Sequence, residues 1–444
     1  MISEPVAPDV SDPDETIRGR GAAADALSSV YVWTWLPGRV EPVVAGRLER
    51  DGERYRFGYG RSYLERSDAV ALHAPELPLG PGAREPLPGL VMPGCLRDAL
   101  PDAWGRRVVL ARLFGARAVD AVSTDPDELV FALESASDRV GALDFQGAAD
   151  RYRPRGSDGA TLEALLEASD RIEAGRTLPA ALEAAILHGT SIGGARPKAF
   201  LGDDERRWIA KFASSDDDRP VVRHEYVAMR LAADVGLDVA PVRLERVLGR
   251  DVLLVERFDR VRVDGGWARR AVVSALTLFE LDEMMARYAS YEELASLVCR
   301  RFSSPRATLV ELFSRMTFNV LVGNTDDHAR NHAAFAGEAP SLTPAYDVCP
   351  QRRTGGEAAQ AMRVHGAASF SRLSLCLDAA PSFRLSRDEA AGIARRQVDV
   401  IRDRYEAVCD GAGLSDAERR ALRGGPVLNP YAFEGLGDAL DGRT

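Results

Sequence analysis

The chain has 444 residues, of which 45% are hydrophobic and 28% charged, and its formal net charge is −10. At roughly 150 residues per domain it has room for two or three domains with ordinary globular cores. The acidic balance argues against a surface built mainly to hold nucleic acid, and no apolar run approaches the ~18 residues that a membrane-spanning helix needs.

Residues 1–29 read as a disordered tail, first acidic and then Gly/Ala-rich, with no periodicity and no basic-then-apolar leader. Strand patterns follow at Val30–Leu36, Val43–Leu48 and Tyr55–Tyr59, with Asp51-Gly52 as a hairpin turn. A proline-rich connection over 75–93 leads to Leu100-Pro101-Asp102-Ala103-Trp104-Gly105-Arg106-Arg107 and an arginine-rich helix, and helical patterns continue over 161–187. A β-rich unit opens near Ser191, with paired strands at Lys198–Leu201 and Trp208–Phe212, a helix at Val222–Gly236, and a hairpin of Val242–Leu248 and Val252–Glu256 turning at Gly249-Arg250. Beyond Phe258 the chain reads as helical. Leu309, Leu312, Phe313, Met316 and Val320 keep helical spacing, and Gly323 closes that helix. The five cysteines, Cys95, Cys299, Cys349, Cys376 and Cys409, have no CxxC spacing, which predicts free thiols in a reducing compartment and a cytoplasmic protein.

Only two lysines occur, Lys198 and Lys211. Where arginine serves every general need for positive charge, a retained ammonium marks a place for a compact point charge, as beside the phosphates of a nucleotide. Lys198 follows a glycine turn, Ser191-Ile192-Gly193-Gly194-Ala195, whose backbone N–H groups suit a phosphate. Read alone, the turn could equally be an ordinary hairpin. Strand alternation puts Lys211 on the face opposite Ala210 and Phe212, where it needs an anion, and Glu225 on the following helix is the candidate partner. The Leu253–Arg260 stretch stands where a hinge should lie; its backbone groups could meet an adenine edge with Phe258 as apolar contact, or Phe258 could equally be core.

The densest polar cluster is Asn324-Thr325-Asp326-Asp327-His328-Ala329-Arg330-Asn331-His332. An Asp with an Asn five residues on is what phosphoryl transfer needs: Asp326 to take or orient the acceptor's proton, Asn331 to offer an amide oxygen to Mg²⁺, and Asp347 downstream to complete a hard-oxygen metal site. His328 is expected to be a buried residue that orients the loop. Two other readings compete, a polar capping loop and a zinc hydrolase using His328 and His332 at i, i+4. The second lacks the Glu of HExxH, because Ala329 holds that place.

In this order, Ser-Ile-Gly-Gly-Ala-Arg-Pro-Lys, Ile-Ala-Lys-Phe, Val-Glu-Arg-Phe-Asp-Arg, Asn-Thr-Asp-Asp-His-Ala-Arg-Asn-His and Leu-Thr-Pro-Ala-Tyr-Asp resemble the HipA family of serine/threonine kinase toxins of HipBA toxin–antitoxin modules. Gly46-Arg47-Leu48 and the Leu100–Arg107 stretch look like that family's extra N-terminal domain. The resemblance implies an α+β, bilobal, phosphoinositide-kinase-like fold: a tail at 1–29, an extra α/β subdomain at 30–150, a β-rich ATP-binding lobe at 151–258 and an all-helical catalytic lobe at 259–444. It implies ATP and Mg²⁺ as cofactors, Asp326 as catalytic base with His328 and Asn331 beside it, and Asn331 and Asp347 as metal ligands. The ATP site would comprise Ser191, Gly193, Gly194, Ala195, Lys198, Lys211, Glu256 and Phe258, with Ser191 as the autophosphorylated serine. The implied partners are a HipB-like helix-turn-helix antitoxin, DNA only through that antitoxin, and a protein substrate, with an aminoacyl-tRNA synthetase as the candidate target. A membrane is not among them. The alternative of another class is a degenerate kinase that serves as a non-catalytic antitoxin-binding module.

Overall fold

The computed structural model describes residues 27–115, 126–156, 160–179, 181–182, 185, 196–202, 205–214, 217–353 and 355–436. The N-terminal tail and the glycine turn with Ser191, Gly193, Gly194 and Ala195 lie outside the described residues. Among the described residues no helix is long and apolar enough to cross a membrane, and the five cysteines are unpaired thiols.

The first unit is an antiparallel sheet of β1 (Ser29–Thr34), β2 (Val43–Asp51), β3 (Arg54–Tyr59), β4 (Ala83–Arg84) and β5 (Leu143–Gln146), in the order β4-β3-β2-β1-β5. Alternation drives Val30, Val32, Leu48 and Phe57 into its core. Gly46 is required where β2 meets β3, since a Cβ there would lie 2.1 Å from the Gly58 carbonyl oxygen. Helices α1 (Ala103–Phe114) and α2 (Glu128–Glu134) pack together through Val109, Leu110, Leu113, Val130 and Phe131.

The second unit is the sheet of β6 (Lys198–Gly202), β7 (Arg207–Phe212), β8 (Val242–Val247) and β9 (Arg250–Glu256), in the order β6-β7-β9-β8. Helix α3 (Leu162–Glu173) covers one face, packing Leu165 and Leu166 with Trp208, Ala210 and Phe212. Helix α4 (Val221–Asp234) covers the other. Trp104 and Val108 of α1 reach across to Ala168 and Ile172 of α3, so the first unit leans on the second. The β8–β9 turn is made by Leu248 and Gly249 at φ 48° and 79°, not by Gly249-Arg250. Two positive-φ residues match the twist of a tight hairpin, and a leucine gave no warning of that role.

The third unit carries α5 (Tyr291–Arg301), α6 (Pro305–Val322), α7 (Leu373–Ala379), α8 (Arg387–Gly411) and α9 (Asp416–Gly424). It is not all-helical. A hairpin of β10 (Arg260–Val263) and β11 (Gly266–Arg269) and a small sheet of β12 (Val272–Ser274), β13 (Ala333–Phe335) and β14 (Ser341–Leu342) belong to it. The apolar stripe read in α6 is its buried side: Leu309, Leu312, Phe313, Met316 and Val320 are fully enclosed, each contributing about 1.5–3 kcal/mol of transfer free energy.

A buried ionic junction joins the first unit to the hinge. Arg257 bonds Asp259 with both Nε and Nη2 at 2.9 Å and reaches Asp138 at 2.9 Å. Arg260 bonds Asp259 at 2.8 Å and Asp138 at 2.6 Å. Both arginines also donate to the Arg139 carbonyl, at 2.8 and 2.6 Å, and Asp259 accepts the Gly141 N–H at 2.7 Å. Burial opposes ionisation of Asp259, but the two guanidiniums prevail and hold its carboxyl below the ordinary range. Arg257, Asp259 and Arg260 therefore serve chiefly to seat the first unit on the hinge.

Candidate active site

Lys198 and Lys211 stand directly opposite one another across the β6–β7 pair. Like charges at that spacing destabilise a sheet unless anions answer them. Two do. Lys211 Nζ donates to Glu225 of α4 at 2.5 Å and also to Asp347. Burial alone would lower the Lys211 ammonium's pKa, but Asp347 and Glu225 overturn that and raise it. The same pairing holds the Asp347 carboxyl well below the usual range against the effect of burial. Lys198 is buried and its pKa is lowered, chiefly by that burial. Strand alternation works as read: Trp208, Ala210 and Phe212 enter the core under α3, while Lys211 points the other way.

Asp347 arrives there by backbone constraint. Ala345 N donates to the Asp238 carbonyl at 2.8 Å and Ala240 N to the Ala345 carbonyl at 2.9 Å, so the segment entering β8 clasps the segment that carries Asp347. Asp347 itself adopts φ 60°, a left-handed conformation that Asp tolerates better than most residues. Tyr346 OH donates to the Arg330 carbonyl at 2.7 Å, tying this segment to the Asp326 loop.

That loop leaves α6 at Gly323, whose φ of 67° closes the helix in the left-handed region. A buried chain of polar groups then fixes its shape. Asn324 donates to Asn319 at 3.0 Å, Asn319 to Tyr291 OH at 3.4 Å, and Tyr291 to Asp327. His332 Nε2 lies 3.0 Å from the other Asp327 oxygen. The buried histidine that orients the loop is thus His332, and the expectation for His328 is corrected: it is only half-buried. Ala329–Asn331 form a single 3-10 turn, so the i, i+4 spacing of His328 and His332 is not that of an α-helix. With His332 committed to Asp327 inside the core, the two histidines do not make a zinc pair. No group of three or more His, Cys, Asp or Glu side chains among the described residues is arranged to hold a metal ion.

Asp326 is exposed to the cleft. Burial of its carboxyl raises its pKa; His328 opposes that rise and the nearby Asp347 and Asp327 carboxylates add to it. Asp326 and Asp347 are therefore electrostatic neighbours. Asn331 spends its amide nitrogen on the Asp326 carbonyl at 3.1 Å, and its amide oxygen accepts no hydrogen bond among the described residues. One free amide oxygen with two carboxylates is a hard donor set, which fits Mg²⁺.

At the hinge, the Glu256 amide donates to the Pro241 carbonyl at 2.8 Å and its carboxylate pairs with Arg206 at 3.2 Å. Phe258 is half-buried, with its ring 5.8 Å from that of Phe335 and 5.6 Å from that of Tyr346, so it joins the hinge to the Asp347 segment.

Asp102 was missed as a site residue. It stands at the start of α1 with both carboxylate oxygens buried; the backbone N–H groups of Trp104 and Gly105 lie near enough to favour its charge, but none makes a well-formed capping hydrogen bond. Burial lifts it to about 6, although the charges of Lys198 and Arg330 pull it down. The first unit thus delivers a carboxyl beside Lys198. Its presence in the conspicuous Leu100–Arg107 stretch was the available signal.

The architecture is a bilobal α+β fold with a polar cleft between a β-rich lobe and a mainly helical lobe, the class to which kinase-like proteins belong. Residues 190–408 match the HipA-like C-terminal domain and residues 39–146 the HipA N-terminal domain. The chain belongs to the HipA family. It is 31% identical over 150 residues to the serine/threonine-protein kinase toxin HipA of Shewanella oneidensis, covering 29% of this chain and 34% of that one. It is 32% identical over 146 residues to Y4mE of Sinorhizobium fredii, provisionally named a kinase, covering 32% of this chain and 33% of that protein. The chain thus spans about a third of the length of these curated relatives. The fold is shared with the Shewanella oneidensis HipA solved in complex with HipB and operator DNA: TM-score 0.65 and 20% identity, over 88% of this chain and 94% of that one.

Proposed function

We propose that this protein is an ATP-dependent serine/threonine protein kinase acting as a HipA-like toxin. The observation that carries the reading is the double pairing of Lys211 with Glu225 and Asp347, beside the Asp326 loop. Lys211 and Lys198 hold phosphate oxygens by charge, and Glu225 keeps Lys211 from swinging out of the cleft. Asp326 accepts the proton of the attacking hydroxyl. Its raised pKa makes it a better base than a surface aspartate. Asn331 and Asp347 would hold Mg²⁺, which supplies charge neutralisation at the transferring phosphate. Phe258 and Glu256 border the adenine.

A HipB-like antitoxin is the proposed partner, by analogy with the Shewanella oneidensis complex. Autophosphorylation at Ser191 and an aminoacyl-tRNA synthetase target belong to the same proposal. A phosphate on Ser191 adds nearly two negative charges where nucleotide phosphates bind, and would silence the enzyme. The test is mass spectrometry of purified protein after incubation with Mg-ATP, beside Asp326→Asn. A phosphate gained by the wild type and absent from the variant supports the reading. Nucleotide binding without transfer to itself or to any lysate protein would leave only a nucleotide-binding module.

A further inference from the structure

A groove far from the Asp326 cleft lies between α6 and α8, enclosing about 240 Å³. Its floor is apolar, made by Val310, Phe383 and Ile393; the latter two are buried. Three exposed arginines rim it: Arg306, Arg384 and Arg396. No guanidinium of the three makes a hydrogen bond or close ion pair with another of the described residues, although the charge of Arg306 is felt by Glu389. The one acid on the rim, Glu389, is committed to Ser386 at the start of α8, accepting from its N–H at 2.8 Å and its hydroxyl at 2.9 Å. The groove is therefore cationic on a chain of net charge −10.

The sequence contains a segment that answers it. Residues 1–17 carry Glu4, Asp9, Asp12, Asp14 and Glu15 with no basic side chain before Arg18, and they interleave Ile2, Val6, Val10 and Ile17. Pro5, Pro8 and Pro13 disfavour a helix and favour an extended chain that can lie along a groove. The segment precedes both matched family domains, the first of which starts at residue 39. Reach is no obstacle. The 25 residues from Ile2 to Leu27 span up to about 80 Å when extended, against a radius of gyration of about 22 Å for a compact chain of this size.

We infer that the acidic amino-terminal segment of this chain docks in the Arg306–Arg384–Arg396 groove of its own helical lobe, carboxylates on the arginines and an apolar side chain on the Phe383–Ile393 floor. Bidentate arginine–carboxylate pairs would orient the segment, and the floor would anchor it. This inference does not depend on kinase activity.

The experiment uses two full-length proteins. One carries E4Q, D9N, D12N, D14N and E15Q, so that its groove is not contested from within. The other adds R306E and R396E. A fluorescein-labelled peptide of residues 1–17 is titrated onto each and followed by anisotropy. Binding to the first protein is expected to weaken at least tenfold between 50 and 300 mM salt, and to be lost in the second. Circular dichroism checks that R306E and R396E leave the fold intact. No binding to the first protein, or equal binding to both, would overturn the inference. So would a wild-type dimer that dissociates when the five acids are neutralised, since the segment would then be seated in a second copy.

Discussion

Asp259→Asn offers a direct measure of what the ionic junction contributes. The carboxylate is 2% exposed and accepts four hydrogen bonds, three from arginines and one from a backbone amide. Asparagine keeps the shape but loses the charge, and it turns an NH₂ toward at least one guanidinium N–H. Removing one partner from a buried ion pair costs about 3–5 kcal/mol, because the remaining charge is stranded in low dielectric. At about 2–4 °C per kcal/mol for a domain of 150–250 residues, the first thermal transition should fall by roughly 6–20 °C. Asp399→Asn, on the exposed side of α8, is the control and should stay within about 0.5 kcal/mol of wild type. The pH dependence has a definite sign. The Asp259 carboxyl is held below its unfolded value, so its contribution is complete above the unfolded pKa and fades only as pH falls through the folded one. The gap between variant and wild type should therefore be flat from pH 5 to 8 and narrow in acid. Scanning calorimetry across that range is the assay. A loss below about 1 kcal/mol at pH 7, or a gap that drifts between pH 6 and 8, would refute the reasoning.

Other outcomes follow from the cleft. Glu225→Gln removes a buried carboxylate whose own pKa burial has raised, so stability should change by no more than about 1 kcal/mol. Phosphoryl transfer should fall roughly 10- to 100-fold, from the loss of a charge-assisted bond worth about 1.5–3 kcal/mol; single-turnover kinetics with a chemical melt measure both. Burial pushes the Asp102 carboxyl up to about 6, above the ordinary aspartate range. The folded state therefore holds its proton longer, and wild type should lose stability relative to Asp102→Asn as pH rises from 4 to 6, with the gap constant beyond; paired melts at five pH values test it. Gly323→Ala places a Cβ 2.6 Å from the Pro426 carbonyl oxygen at φ 67°. It should cost more than the ~1 kcal/mol of a left-handed alanine alone and lower activity through the Asp326 loop, as read by denaturant unfolding beside a kinase assay.

The parts of the site that were legible in the sequence are those whose chemistry is local. Lys198 and Lys211 stood out by rarity, Glu225 by its helix, and Asp326, Asn331 and Asp347 by spacing within one stretch. Alternation gave the face of Lys211, but the register that sets the two lysines opposite each other is a pairing the strands alone did not announce. Asp102 was hidden because nothing local says that α1 is carried, through Trp104, to the edge of the second unit. The clasp of residues 238–240 on Ala345 and the seating of Arg257 and Arg260 on Asp138 are likewise pairings across about a hundred residues, with no periodicity to announce them. His332 was passed over for His328 because the contacts that bury it, Asp327 with Tyr291 of α5, come from a distant helix that nothing local announces.

Lys211 grips both Glu225 and Asp347. In protein kinases the joining of such a cation to its helix carboxylate is an event that control acts upon. If the proposed function holds, a lysine shared with a second carboxylate ties the helix of Glu225 to the segment of Asp347, so displacing either element would loosen both contacts at once.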